Sequence, residues 1–400
     1  MSMLSRLTLS TLLFVTLAMG NTAWAATYYV DRNLPGNDNN SGTEQDAPFL
    51  TIAKCVATAT SPGDTCLVKN GTYPEAVLMR TSGTASAPIT LKNFPGHRPV
   101  LDFGDTTDST KMLIIKRAGT GPSVIQYIIV EGLEITGGWD GIKATTAENV
   151  IIRRNYIHHN GNTNGSGILC GFCYAWTFDR NIVAHNGSTT SSPKGHGHYI
   201  MGTGHIFTNN LIYGNASYGI QGSGRLFSSQ TNSATHVRQS GFQATIANNT
   251  IAYNGTGGIV LTEAEHRDCI IENNLFYENL GPNGHPNGVN VAWGGGLGGH
   301  IIRNNYAYST APRGLLFIIG TSTAYTQTNN ICLSGCSAVA TNPRFVNAPA
   351  TVPASPDFHL ISGSQAIDFG VNLTSVRITT DITGLPRPQG VAFDVGAYEF

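Results

Sequence analysis

The sequence predicts an all-β solenoid built from short strands that coil and stack. Three observations carry this. Seven segments set an Asn among apolar strand residues, centred on Asn155 (RRNYI), Asn181 (DRNIV), Asn210 (NNLIY), Asn249 (NNTIA), Asn274 (NNLFY), Asn305 (NNYAY) and Asn330 (NNICL). Their intervals are 26, 29, 39, 25, 31 and 25 residues, a repeat length at which no single unit can bury its own apolar face. Each unit also carries an earlier Gly-apolar strand, from Gly141-Ile142 through Gly167-Ile168, Gly197-His198, Gly219-Ile220, Gly258-Ile259 and Gly288-Val289 to Gly314-Leu315. Two or three short strands per turn, punctuated by Gly, Asn and Ser, describe a coil of β-strands. Stacking in register lets the Asn side chains form a ladder along the axis.

The elements follow in order. Residues 1–25 read as a signal peptide: Arg6, an apolar run from Leu12 to Met19, then Ala23-Trp24-Ala25. The apolar run is too short to span a bilayer, so an exported chain without a membrane span is expected, secreted or periplasmic. Thr27–Asp31 is a strand. Apolar residues at 49, 52, 53, 56 and 57 have helical spacing, and a short helix there would cap the open end of the stack. Cys66-Leu67-Val68 is the next strand. The parallel coils run to 345 with this cap, and residues 346–400 are expected to complete and cap the coil. Asp381 and Asp394 should tie down this last segment, and Asp102, Asp105 and Asp108 read as turn formers.

Charged residues are 12% of the chain and the net charge is −1, with no basic cluster, so nothing points to nucleic acid. A monomer is expected. Seven Cys suit an oxidising compartment, and the near pairs are Cys55/Cys66, Cys170/Cys173 and Cys332/Cys336, leaving Cys269 over. Spacing alone does not fix the pairing. Zinc at Cys170 and Cys173 would need a second ligand pair at suitable spacing.

The run YYVDRN…APFLTIAKCVATATSPGDTCLVKNGTYPE, followed by coils and the ending NPRFV…DFHLISGSQAIDFG…GAYEF, resembles secreted right-handed parallel β-helix proteins of the pectate-lyase-like superfamily. The resemblance covers residues 27–400. It implies a right-handed parallel β-helix and leaves activity open, because that superfamily hosts lyases, hydrolases, esterases, epimerases and non-catalytic binders.

Coil length marks the additions. The interval from Asn210 to Asn249 is the longest, so residues 222–241, with Arg225, His236 and Arg238, should project as a loop. With Ile142, Ile168, Ile220 and Ile259 inward, an outward column reads Lys143, Leu169, Tyr199, Gln221, Val260, Asn290, Leu316. A column at the strand edge reads Asp140, Ser166, His196, Tyr218, Gly257, Asn287, Arg313. His196 on this surface is a candidate base. His198 is the other, although it fills a slot that neighbouring coils give to Ile, Val or Leu, which suits a core histidine equally. Glu263 and Glu265 would share a face if extended and could hold Ca²⁺, as in the Glu-x-Glu of chondroitinase B-like lyases that this pair resembles, or act as a glycosidase acid/base pair. A solvated turn with ion pairs to His266 and Arg267 competes with both.

These features support a carbohydrate-active enzyme, with β-elimination of an acidic, uronate-containing polysaccharide as the leading reaction. His196 or His198 would be the base, Tyr199 or Tyr218 the acid, and Arg225 or Arg238 the group that neutralises the substrate carboxylate. The alternatives are a glycoside hydrolase, a C5-epimerase and a non-catalytic glycan-binding surface protein. Asp-Asp, Asn-Thr-Asp and Asp-Pro-His-Asp motifs are absent, against polygalacturonase and mannuronan-epimerase chemistry.

Overall fold

The computed structural model describes residues 25–400 apart from 34–35, 117–123, 163–164, 189–194, 226–239, 280–288, 294–295, 311–314 and 320–324, with backbone alone at 289–293, 315–319 and 376. Every strand between residues 27 and 339 pairs in parallel with the equivalent strand of the next coil. Three faces result. Face a includes Ile142–Thr145, the first part of Ile168–Tyr174 and of His198–Thr208, Tyr218–Ser223 and Gly257–Thr262. Face b includes Ala147–Arg153, Thr177–Asp179, the end of His198–Thr208 and Phe242–Ala247. Face c is a separate sheet of 11 strands, among them Tyr156–His158, Ile182–Ala184 and Leu211–Tyr213.

Alternation decides which side chains enter the core. On face b, Ile152, Phe178, Phe207, Ile246, Ile271 and Ile302 stand in register and are fully buried. Phe178 and Phe207 stack with centroids 4.5 Å apart. On face a the inward row is Ile142, Ile168, His198, Ile220 and Ile259, as the Gly-apolar repeat predicts.

The corner between faces b and c takes one residue in the left-handed region, then the ladder Asn: Arg154, Arg180, Asn209, Asn248, Asn273, Asn304 and Asn329 have φ of 51–56°. Asn tolerates this conformation better than most residues. The predicted ladder is present from Asn155 to Asn330, each Nδ2 donating to the next Oδ1 at 2.9–3.2 Å. A second ladder, not anticipated from the sequence, follows five residues later through Asn160, Asn186, Asn215, Asn254 and Asn279.

At the N-terminal end the helix Ile52–Thr58 buries Ile52, Cys55 and Val56, with Thr51 accepting the Lys54 N–H as its cap. Disulfides join Cys55–Cys66, Cys170–Cys173 and Cys332–Cys336, and Cys269 is a buried free thiol. The second disulfide removes the zinc alternative. Asp102, Asp105 and Asp108 each close a turn by accepting the N–H two residues on. The segment 1–24 lies outside the described residues. No helix among those described is long and apolar enough to cross a membrane.

Residues 346–400, expected to cap the coil, lie along its flank. Phe358 packs on Tyr213 and Tyr253 of face c. Asn248, Asn273 and Asn304, at the left-handed corner, donate to the carbonyls of Asp394, Val371 and Phe369. Inside this segment Arg387 pairs with Glu399, both fully buried, and Asp381 and Asp394 accept backbone N–H groups.

Candidate functional site

The loops that vary in length lead into or out of face a, so the site is sought there. Lys143, Leu169, Tyr199, Gln221 and Val260 stand in register along it. Coils are about 4.8 Å apart, so Tyr199 and Gln221 are neighbours and Lys143 lies roughly 10 Å from Tyr199. The column was expected to continue to Asn290, but Val260 pairs with Ala292, so Asn290 falls opposite Gly258, two residues before the expected position. Asn287 and Arg313 lie outside the described residues.

Three aromatic rings cluster at the strand edge. His196 is 5.7 Å from Tyr199 and stacks on Tyr218 at 6.1 Å. His196 is 9% exposed, and burial lowers its pKa to about 4, opposed by a contact with Gln221. Its Nδ1 accepts the Tyr218 N–H at 3.3 Å, so the neutral ring carries its proton on Nε2, toward Gln221. Gln221 in turn donates to Thr262 Oγ1 at 3.2 Å. Nδ1 is therefore taken by the backbone and the ring is nearly buried, so it fits a positioning role better than the base role expected for it. Burial raises the pKa of Tyr218, which stays a phenol.

His198 is a correction. Its side chain is fully buried, edge-on to Phe178 and Phe207 at 5.2 and 5.4 Å, and cannot reach a substrate. Burial pushes its pKa down to about 3. The Gly219 carbonyl opposes this, yet neither ring nitrogen makes a hydrogen bond of ordinary geometry.

Arg225 and Glu263 sit beyond the far edge of face a, 3.7 Å apart and 57% and 48% exposed. From the strand edge at Tyr218 to Arg225 is seven residues of near-extended chain, roughly 20 Å. His196 and Arg225 thus share a face without meeting around one sugar. The base of the inserted loop is pinched by Gly241 N–H donating to the Arg225 carbonyl at 3.0 Å. Arg238 lies outside the described residues. Glu263 has a left-handed φ of 67°, so the segment is bent and Glu263 and Glu265 do not share a face as an extended chain would place them. Calcium takes six to eight oxygens. Here Glu263 is held by Arg225, and among the described residues no three His, Cys, Asp or Glu side chains converge on a metal position.

At the start of face a, Asp140 is fully buried, accepts the Ser166 N–H at 2.8 Å and faces Lys143 at 3.7 Å. Burial raises its pKa against both contacts. Sequence reasoning placed Lys143 on this surface without giving it a part. It also missed two hollows outside face a. One is lined by His159 and His185 at the second ladder corner. The other lies between face b and the C-terminal segment. The recurrent His before the second Asn (IHHN, VAHN) signals the first. Nothing local signals the second.

Residues 28–215 match the family described as Pel9A-like, right-handed beta helix region. An uncharacterised protein of Bacillus subtilis (strain 168), YwoF, is 37% identical over 73 residues, a match that spans 18% of this chain and 15% of that protein. Among solved structures, pectate lyase Pel9A superposes with a TM-score of 0.55 at 18% identity, covering 94% of this chain and 96% of that one. PfbA, a surface adhesin of Streptococcus pneumoniae, superposes with a TM-score of 0.52 at 13% identity, covering 80% of each. At these identities the superpositions establish the fold.

Proposed function

We propose that in this right-handed parallel β-helix, whose residues 28–215 match the Pel9A-like family, face a is the substrate wall of a secreted polysaccharide lyase acting on a uronic-acid polymer. The observation that carries this reading is the register of Lys143, Tyr199 and Gln221, with the His196–Tyr199–Tyr218 rings beside them and Arg225 at the rim. Rings present flat faces to sugar, Lys143 stands two coils from Tyr199, and Arg225 lies at the rim.

In β-elimination a base takes the C5 proton, the C–H electrons form the C4–C5 double bond, and the C4–O bond breaks as its oxygen gains a proton. We assign proton abstraction from C5 to the side-chain oxygen of Tyr199. Lys143 offsets the charge that grows on the uronate carboxylate, and Arg225 at the rim holds the carboxylate of another unit of the chain. Tyr218, kept protonated by burial, gives the proton to the leaving oxygen. His196 holds Tyr218 and Gln221 in place. No step is routed through a metal.

The test is incubation with pectate, alginate and glycosaminoglycans, following the ultraviolet absorbance of unsaturated uronate, with and without chelator. A new unsaturated product supports the reading. New reducing ends without that absorbance indicate hydrolysis, and binding without any product indicates a glycan-binding surface protein. Either result overturns the lyase assignment.

A further inference from the structure

The hollow on face b is a groove of about 360 Å³, with the coils as its floor and Arg377–Thr380 of the C-terminal segment as its opposite wall. Ile151, Thr177 and Ile206 stand in register on three adjacent coils, and so do Arg153, Asp179 and Thr208. Ile206 is 42% exposed, in an outward row that also holds Ile151, Ile270 and Ile301. The wall is fixed to the floor by Arg180, which donates to Thr380 Oγ1 at 3.3 Å while pairing with Asp179 at 2.7 Å.

Three features of this groove are left unsatisfied by the protein itself. Asn209 is 3% exposed and its Oδ1 has no hydrogen-bond partner. Arg153 pairs with Glu131 through Nη2 at 2.7 Å, but its buried Nε has no acceptor. Arg377 is exposed and, among the described residues, has no carboxylate partner. Arg377 also sits at φ 68°, ending the short 3-10 helix Thr374–Val376. There its N–H caps the helix by donating to the Thr374 carbonyl at 3.0 Å, a role that glycine fills at least cost.

An apolar patch, an orphaned acceptor, an orphaned guanidinium N–H and an unpaired cation together describe a receptor for a carboxylated sugar. We propose that this groove is a second binding site, off face a, for one acidic unit of the polysaccharide. The sugar's apolar face rests on Ile206, a hydroxyl donates to Asn209 Oδ1, and its carboxylate lies between Arg377 and Arg153 Nε. The choice of a uronate rests on the reading of face a as a wall for an acidic polymer. A site here would hold a long chain by two separated points and would raise its effective concentration at face a.

The experiment measures binding of trisaccharides from pectate, alginate and hyaluronan by calorimetry, with a neutral galactotriose as control. The full chain is compared with Arg377→Gly and Arg225→Ala. Glycine at 377 relieves the backbone, so Arg377→Gly should melt at the same temperature or higher and yet weaken one binding event at least tenfold, because charge-assisted contacts are lost. Arg225→Ala should leave that event intact. The proposal is overturned if Arg377→Gly binds every acidic trisaccharide as the native chain does, if no acidic trisaccharide binds, or if galactotriose shows the same dependence on Arg377. It stands if the Arg377-sensitive event persists in a protein that releases no unsaturated product, an outcome in which only the lyase reading fails.

Discussion

Removal of one side chain from the middle of the Asn ladder should cost this protein a large part of its stability. Asn210 donates through Nδ2 to Phe178 C=O at 2.8 Å and to Asn249 Oδ1 at 2.9 Å. Its Oδ1 accepts the backbone N–H of Asn181 at 2.9 Å and Nδ2 of Asn181 at 3.0 Å. Asn210→Ala deletes all four. Two groups keep a second partner: Asn181 Nδ2 retains Ile152 C=O, and Asn249 Oδ1 retains the Asn210 N–H. The Asn181 N–H is left buried without an acceptor. An orphaned donor costs about 1–3 kcal/mol and each of the three other lost bonds about 1 kcal/mol, for a total of about 5 kcal/mol. That is a third or more of the stability of a typical domain, at about 5–15 kcal/mol. Urea unfolding followed by far-ultraviolet circular dichroism measures it. With m near 3–4 kcal/mol/M the midpoint should fall by more than about 1 M. Hydrogen exchange at the Asn181 amide should accelerate selectively. A midpoint change of less than about 0.3 M would refute the ladder as a main source of stability.

Three further outcomes are expected. His198→Ile, matching Ile168 and Ile220 in the adjacent coils, should stabilise the chain by about 1–3 kcal/mol at neutral pH, because an unbonded buried polar ring is removed. The folded pKa of about 3 lies below the unfolded value near 6.5. The unfolded chain therefore binds the extra proton between them, and stability falls as pH drops through that window. Melting at pH 7 and pH 5 should show the variant gaining more at pH 5, and lost turnover in a folded variant would contradict a core role. Arg387→Met strands the buried Glu399 carboxylate and should cost about 3–5 kcal/mol, read as faster proteolytic release of residues 367–400; unchanged protease resistance would count against that pair as the fastener. Tyr199→Phe should lower kcat on the uronate polymer about 10²–10⁴-fold with little change in KM, whereas a mere sugar-stacking ring would leave kcat intact.

The parts of this fold that were legible in the sequence are those written locally. An Asn at each b–c corner and, in most coils, an apolar residue after Gly recur once per coil, and both patterns led to the observed stacking. The second ladder was equally written, as Asn five residues after the first, but the apolar residues between them drew the reading. The slip at Asn290 has a physical cause. In Gly288-Val289-Asn290-Val291 the two valines are two residues apart, and a strand pattern of period two cannot tell which pairs with Ile259. The state of His196 was not legible, since it depends on Tyr218 and Gln221 in the next coil. The groove on face b joins Arg180 to Thr380, 200 residues apart, and no local pattern encodes such a contact.

The most direct measurement of the central claim is a crystal structure of the Tyr199→Phe protein soaked with a uronate tetrasaccharide from whichever polymer the protein binds. The account predicts sugar density along face a, with rings against Tyr218 and Gln221 and a carboxylate within reach of Lys143 or Arg225. Density confined to other surfaces, with face a bare, would contradict it.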